Sequence, residues 1–141
     1  WPFAYRLAVL VTHDRVAGED VAQEVMIRLY TGWATIERPD AYLRTAIVNT
    51  AVNWQRRQTT SRVKLPLVSR PEAVDPVDTD RSTELADALA GLPERQRAVL
   101  VLRYWAGLSE AEIADTLGCR PGTVKSLASR ALNRLSKELP R

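Results

Sequence analysis

The sequence predicts an all-α protein made of two small helical domains joined by a proline-containing linker. Three observations carry that prediction. Apolar residues recur at helical spacing on both sides of residues 58–82, that segment itself has no sustained periodicity, and no stretch alternates with the two-residue rhythm of a strand. At 141 residues the chain holds one ordinary domain or two small ones. Two domains of about 55–60 residues would each bury only about 60% of their unfolded surface, so each is modestly stable alone.

Taken in order, Phe3 to Thr12 form the first helix, with Phe3, Leu7, Leu10 and Val11 as its apolar face. His13-Asp14 interrupts it, and Asp14 is a suitable N-cap for the next helix. That helix runs from Arg15 to about Trp33. Val21, Val25, Ile27, Leu29 and Tyr30 supply its apolar face, and Glu19, Asp20, Gln23 and Glu24 stay polar. Gly32 and the stretch Thr35–Arg38 mark a loop. Pro39 opens a third helix as its first residue, where the missing N–H is harmless, and the helix continues to about Arg57, burying Leu43, Ile47, Ala51 and Trp54. Trp33 is also assigned to the core.

Residues 58–82 hold Pro66, Pro71 and Pro76 with four acids and four bases, and read as an extended linker. At ~3.3 Å per residue, such a segment spans up to about 80 Å. Periodicity resumes at Thr83. Leu85, Ala88 and Leu89 make a short helix closed by Gly91, and Pro93 opens another over Glu94–Tyr104 with Val99, Leu100 and Leu102 inside, broken by Gly107.

Composition removes several classes of function. Cys119 is the single cysteine and His13 the single histidine, so an internal disulfide, a cysteine-rich zinc site and a multi-histidine centre are excluded. No cofactor is expected. No apolar run approaches the ~20 residues of a membrane span, and there is no secretory signal pattern, so we expect no membrane insertion and a cytoplasmic location. The chain begins at Trp1 rather than at a methionine, and further native residues before it are expected. The net charge is only +3, but it is unevenly placed. Residues 120–141 carry six Lys/Arg against one acid, whereas residues 84–118 carry six acids against three arginines. A basic C-terminal helix on a neutral-to-acidic scaffold suits contact with phosphate.

The densest motif is C-terminal. Ser109-Glu110-Ala111-Glu112 is a capping box that opens a helix containing Ile113, Ala114 and Leu117. Gly118 and Cys119 follow, and a new helix begins at Arg120-Pro121-Gly122-Thr123. A helix-turn-helix needs a small residue where its helices touch, a glycine at the turn and a branched apolar residue on the second helix. Ala114, Gly118 and Val124 stand at those intervals, and Ile113, Leu117 and Leu127 fill the other core positions. With Val124 and Leu127 inward, helical geometry turns Thr123, Lys125, Ser126, Ser129 and Arg130 outward. Those hydroxyl and cationic groups suit phosphates and base edges.

The motifs together resemble the group IV, or extracytoplasmic-function, sigma factors of the sigma-70 family, of actinobacterial type. The resemblance covers essentially the whole chain. Residues 19–30, Glu-Asp-Val-Ala-Gln-Glu-Val-Met-Ile-Arg-Leu-Tyr, look like the helix that docks on the clamp coiled coil of the polymerase β′ subunit. Residues 41–50, continuing to Arg56 and Arg57, look like the helix that reads the −10 promoter element. Residues 92–97, with Gly118 and residues 122–126, look like the domain that reads the −35 element.

The resemblance implies a sigma-2-like domain over residues 1–57, a linker over 58–82 and a sigma-4-like domain over 83–141. It assigns polymerase binding to Asp20, Gln23 and Glu24, whose spacing within about one helical turn makes a polar, anionic patch. It assigns −10 contacts to Arg38, Asn49, Asn53, Arg56 and Arg57, with Thr35–Asp40 as the base-capturing loop. It assigns −35 contacts to Arg120, Thr123, Lys125, Ser126, Ser129 and Arg130. Leu127 stands where many members carry arginine, so phosphate contacts there are expected to fall on Lys125 and Arg130. The implied partners are core RNA polymerase, through its β′ clamp coiled coil and β flap, and promoter DNA. An anti-sigma factor is a further candidate partner that the sequence leaves open.

Two other readings compete. A stand-alone helix-turn-helix regulator explains residues 83–141 equally well but leaves the asparagine- and arginine-rich third helix without a role. A polymerase- or anti-sigma-binding decoy keeps the docking helix without promoter activity. An enzyme fits worst, because the carboxylates are scattered over helix caps and faces and there is no phosphate loop or nucleophile–histidine arrangement.

Overall fold

The computed structural model of the chain describes residues 1–60 and 87–138, and among these there are helices and short connections but no strand. The chain divides into two compact units, Trp1–Arg70 and Pro71–Arg141.

In the first unit, α1 is Pro2–Thr12, α2 is Arg15–Thr31, a 3-10 turn covers Trp33–Thr35, and α3 is Pro39–Thr60. Of the expected linker, residues 58–60 continue α3; residues 61–82, and with them Pro66, Pro71 and Pro76, lie outside the described residues, as do Thr83 and Leu85. The break after α1 follows from its ends. His13 adopts a left-handed conformation with φ 54°, and its N–H donates to the Val9 carbonyl at 2.7 Å. Asp14 then caps α2, its Oδ1 accepting from the Ala17 N–H at 3.0 Å. Gln55 of α3 donates from Nε2 to the Thr12 carbonyl at 2.8 Å, which ties the third helix to the end of the first.

Each of the three helices packs on the other two. Leu7, Ala8 and Val11 of α1, Ala22 and Val25 of α2, and Ile47, Val48 and Ala51 of α3 are fully buried. Such side chains contribute about 1.5–3 kcal/mol each when they are large and fully buried.

The face of α2 is narrower than its apolar residues suggest. Val21, Ala22, Val25 and Leu29 are buried, whereas Ile27 is 64% exposed and Tyr30 is 83% exposed. Positions 18, 21, 22, 25 and 29 form one helical stripe, and Ile27 and Tyr30 project on the opposite side with Gln23. Phe3 and Trp33 are exposed too, because Ala4 takes the inward position at the start of α1 and the 3-10 turn carrying Trp33 buries no residue. Leu10, Leu43 and Trp54 are half-buried.

In the second unit, residues 87–90 form a helical turn, α4 is Glu94–Leu100, a π-helical segment covers Val101–Trp105, α5 is Glu110–Leu117 and α6 is Pro121–Glu138. Ala88, Leu92, Leu100, Ala131 and Leu135 form a core with Leu89 against it, and both α4 and α5 pack on α6. Val99, Leu100 and Leu102 are inside, as the spacing indicates. The expected single helix over 94–104 is instead an α-helix that widens. The Ala106 N–H reaches back five residues to the Val101 carbonyl at 3.0 Å, and Tyr104 and Trp105 emerge exposed. Arg97 is buried, and desolvation pushes its guanidinium down to about 10, with Glu94 opposing the shift.

Candidate nucleic-acid interface

The first candidate surface is a groove between α2 and α3. Asn49, Asn53 and Arg57 follow one another at four-residue intervals, so α3 presents them in a row. They line a pocket of about 340 Å³ together with Tyr42, Thr45, Ala46 and Thr50 of the same helix and Glu24 and Arg28 of α2. That volume is at the small end for ligand pockets, enough for one planar group rather than an extended molecule. Its wall offers amides, hydroxyls, two guanidinium groups and one aromatic ring. These groups can hydrogen-bond the edge of a base, stack on its face and hold its phosphate. Arg38, on the loop before α3, and Arg56, on the neighbouring face of α3, are exposed but are not among the lining residues.

Arg28, Tyr42 and Thr45 belong to the groove without having been singled out by sequence reasoning. A signal was available for each of the first two. Arg28 follows Glu24 by one helical turn, and Tyr42 precedes Asn49 by two, so each shares a face with a residue that was selected. Arg28 Nη2 donates to Glu24 Oε1 at 2.7 Å, an ion pair within α2.

Asp20, Gln23 and Glu24 are all exposed on α2. The structure separates them by position. Glu24 turns to the groove, whereas Asp20 and Gln23 do not line it. Gln23 Nε2 donates to Glu19 Oε1 at 3.3 Å. The exposed side chains of Ile27 and Tyr30 lie beyond this polar strip, so the outer face of α2 combines acidic and apolar groups.

The second surface is the helix-turn-helix. Ser109 and Glu112 form the expected capping box: the Glu112 N–H donates to Ser109 Oγ at 3.2 Å, and the Ser109 N–H donates to Glu112 Oε1 at 3.1 Å. Gly118 ends α5 with φ 67°, a conformation in which a Cβ is strained. Ile113, Ala114 and Val124 are buried, and Leu117 and Leu127 are half-buried. Arg120, Thr123, Lys125, Ser126, Ser129 and Arg130 are all exposed. Helical rotation places the five of these on α6 along one side, and Arg134, one turn beyond Arg130, extends the row. Ser126 Oγ donates to the Gly122 carbonyl at 3.1 Å. Lys125 Nζ is 3.9 Å from Glu110 Oε2, a pair between an exposed lysine and a half-buried glutamate that joins the two helices of the motif. Cys119 is half-buried in the turn.

Among the described residues, no group of three His, Cys, Asp or Glu side chains is placed to hold a metal, and no helix is long and apolar enough to cross a membrane.

Comparison with known proteins matches two parts of the chain to two family models. Residues 2–60 match the family described as Sigma-70 region 2, and residues 82–135 match Sigma-70, region 4. The chain is 39% identical over 140 residues to an RNA polymerase sigma-E factor of Streptomyces coelicolor, covering 95% of this chain and 78% of that protein. It is 36% identical over 149 residues to an ECF RNA polymerase sigma factor, SigL, of Mycobacterium tuberculosis, covering 96% and 83%. Its backbone is similar to that of the sigma factor RpoE solved with the anti-sigma factor NepR from Bartonella quintana, with a TM-score of 0.79, 25% identity, and coverage of 97% of this chain and 89% of that one.

Proposed function

The chain belongs to the sigma-70 family of RNA polymerase sigma factors, in its extracytoplasmic-function branch, and from that premise we propose how its two units divide the work of promoter recognition. Residues 1–57 dock on the polymerase and engage the −10 element, residues 83–141 hold the −35 element and the β flap, and residues 58–82 connect them. The protein acts in the cytoplasm and forms no covalent intermediate. Its contribution is binding energy aimed at one DNA sequence and one strand.

The observation that carries this reading is the joint presentation of two polar rows on separate units. Asn49, Asn53 and Arg57 line one groove, and Thr123, Lys125, Ser126, Ser129 and Arg130 cover one side of α6. A helix with hydroxyls and cations on its outer side reads duplex DNA in the major groove. A small pocket with amides and an aromatic ring suits a base lifted out of the stack. Extruding a base costs a few kcal/mol, which stacking and edge contacts offset. Arg38 and Arg56 supply flanking cations for the strand. Of the three residues assigned to polymerase binding, Asp20 and Gln23 meet basic residues of the β′ coiled coil, with Ile27 and Tyr30 adding apolar area beside them, and Glu24 faces the groove instead. A sigma factor of similar fold has been solved with an anti-sigma factor, and we infer a partner of that class for this chain as well.

The experiment is transcription in vitro with bacterial core RNA polymerase, with and without the chain, on a library of promoter-sized DNAs. We expect transcripts from DNAs sharing one −35/−10 pair, only when the chain is present. Core binding without transcripts would refute the promoter-recognition role. Neither transcripts nor core binding would refute the docking role as well.

A further inference from the structure

The groove between α2 and α3 contains a carboxylate that a nucleic acid disfavours. Glu24 lines the same pocket as Asn49, Asn53 and Arg57, and a bound strand brings phosphate to it. The carboxylate is neutralised within its own helix, since Arg28 Nη2 donates to Glu24 Oε1 at 2.7 Å, the short distance of a charge-assisted bond. Both side chains are half-exposed, 46% for Arg28 and 56% for Glu24. An exposed pair of this kind is weak and exchanges partners readily. Arg28 and Arg57 are the two cations among the lining residues, and they come from opposite walls, one from α2 and one from α3.

We propose that Arg28 is a further contact for the phosphate of the captured strand, and that Glu24 governs it through the ion pair as a positioning residue. The phosphate takes the guanidinium from the carboxylate, so strand binding and the Glu24–Arg28 pair exclude one another. Arg28 and Arg57 then clasp the backbone from two sides while Asn49 and Asn53 meet the base. This inference rests on the reading of the groove as a single-strand site.

The test is equilibrium binding of the full chain to a fluorescent single-stranded DNA pool of random 12-mers, by anisotropy over a range of salt. Arg28→Gln is expected to weaken binding about threefold and to reduce the salt slope by about 0.7, the value of one phosphate contact on a single strand. Arg28→Lys should keep the slope. Glu24→Gln should strengthen binding about threefold, and should have no effect when combined with Arg28→Gln. An unchanged slope for Arg28→Gln would overturn the contact. An equal gain from Glu24→Gln in both backgrounds would mean simple repulsion of phosphate and would overturn the positioning role. Arg57→Ala separates this inference from its premise. If Arg57→Ala weakens binding and Arg28→Gln does not, only the inference fails; if neither weakens it, the single-strand reading of the groove fails with it.

Discussion

Gly18 carries no side chain because Val9 leaves it no room. A Cβ built at Gly18 would lie 2.6 Å from Val9 Cγ2 and 2.9 Å from the Val9 Cα, and the second distance is to backbone that cannot rotate away. The helix propensity gained by alanine, up to about 1 kcal/mol, is therefore outweighed by separating α1 from α2. Gly18→Ala is expected to lower the stability of the first unit by about 1–3 kcal/mol in urea unfolding, and an increase in stability would show that the contact is loose. Arg97 makes the opposite kind of demand, a charge held where burial disfavours it. Its folded pKa, about 10, lies below the ordinary arginine value, so above pH 10 the folded state binds fewer protons than the unfolded one. By linkage, the contribution of this group to stability rises with pH in that window. Measured against Arg97→Met, which cancels the other titrating groups, the native chain should gain up to about 1.4 kcal/mol per pH unit as pH climbs from 10 toward 12. A difference independent of pH would place the charge in a solvated site. Neither feature was legible in the sequence. Gly18 sits in a good helical pattern and Arg97 among exposed-type residues, and only the packed neighbours reveal the crossing at one and the desolvation at the other.

The helices themselves were legible where a local interaction sets their ends. Asp14 caps α2, Ser109 and Glu112 close the capping box of α5, and Gly118 takes the left-handed position, all from residue types whose chemistry is fixed by spacing. Elements fixed by tertiary packing were read less well. Phe3, Ile27, Tyr30 and Trp33 were assigned inward on hydrophobicity, yet the stripes that pack are made by smaller residues such as Ala4, Ala22 and Val25. The widening at Val101–Trp105 leaves no sequence signature of its own. On α6 the residues assigned to the −35 contact are exposed, and salt dependence tests that assignment. Lys125 and Arg130 are both exposed, but Lys125 also lies 3.9 Å from Glu110. Lys125→Ala and Arg130→Ala should each weaken holoenzyme binding to the −35 element and reduce the salt slope by about 0.9, one duplex phosphate contact apiece. A slope left unchanged by either substitution would remove that residue from the phosphate contacts.

Two units joined along one chain can bind two DNA elements with more affinity than either unit supplies, because the first contact raises the effective concentration of the second. Each of the two units has its own buried residues, and the two candidate surfaces lie within separate units. Perturbing one surface is therefore expected to change its own contact and to leave the other as it was. Asn53→Ala in the groove and Lys125→Ala on α6 should each reduce formation of a transcription-competent complex by the reconstituted polymerase. Their free-energy effects should add in the double variant to within about 0.5 kcal/mol, as for substitutions that share no partner. The measurement is complex formation on a promoter that the chain activates, for the native protein, the two single variants and the double variant, at one salt concentration. Additivity would mean that −10 and −35 contacts are made independently and joined only by the chain between them. A coupling energy well beyond that margin would mean that engaging one element changes the unit that holds the other, and the chain would then have to be treated as one reader rather than two.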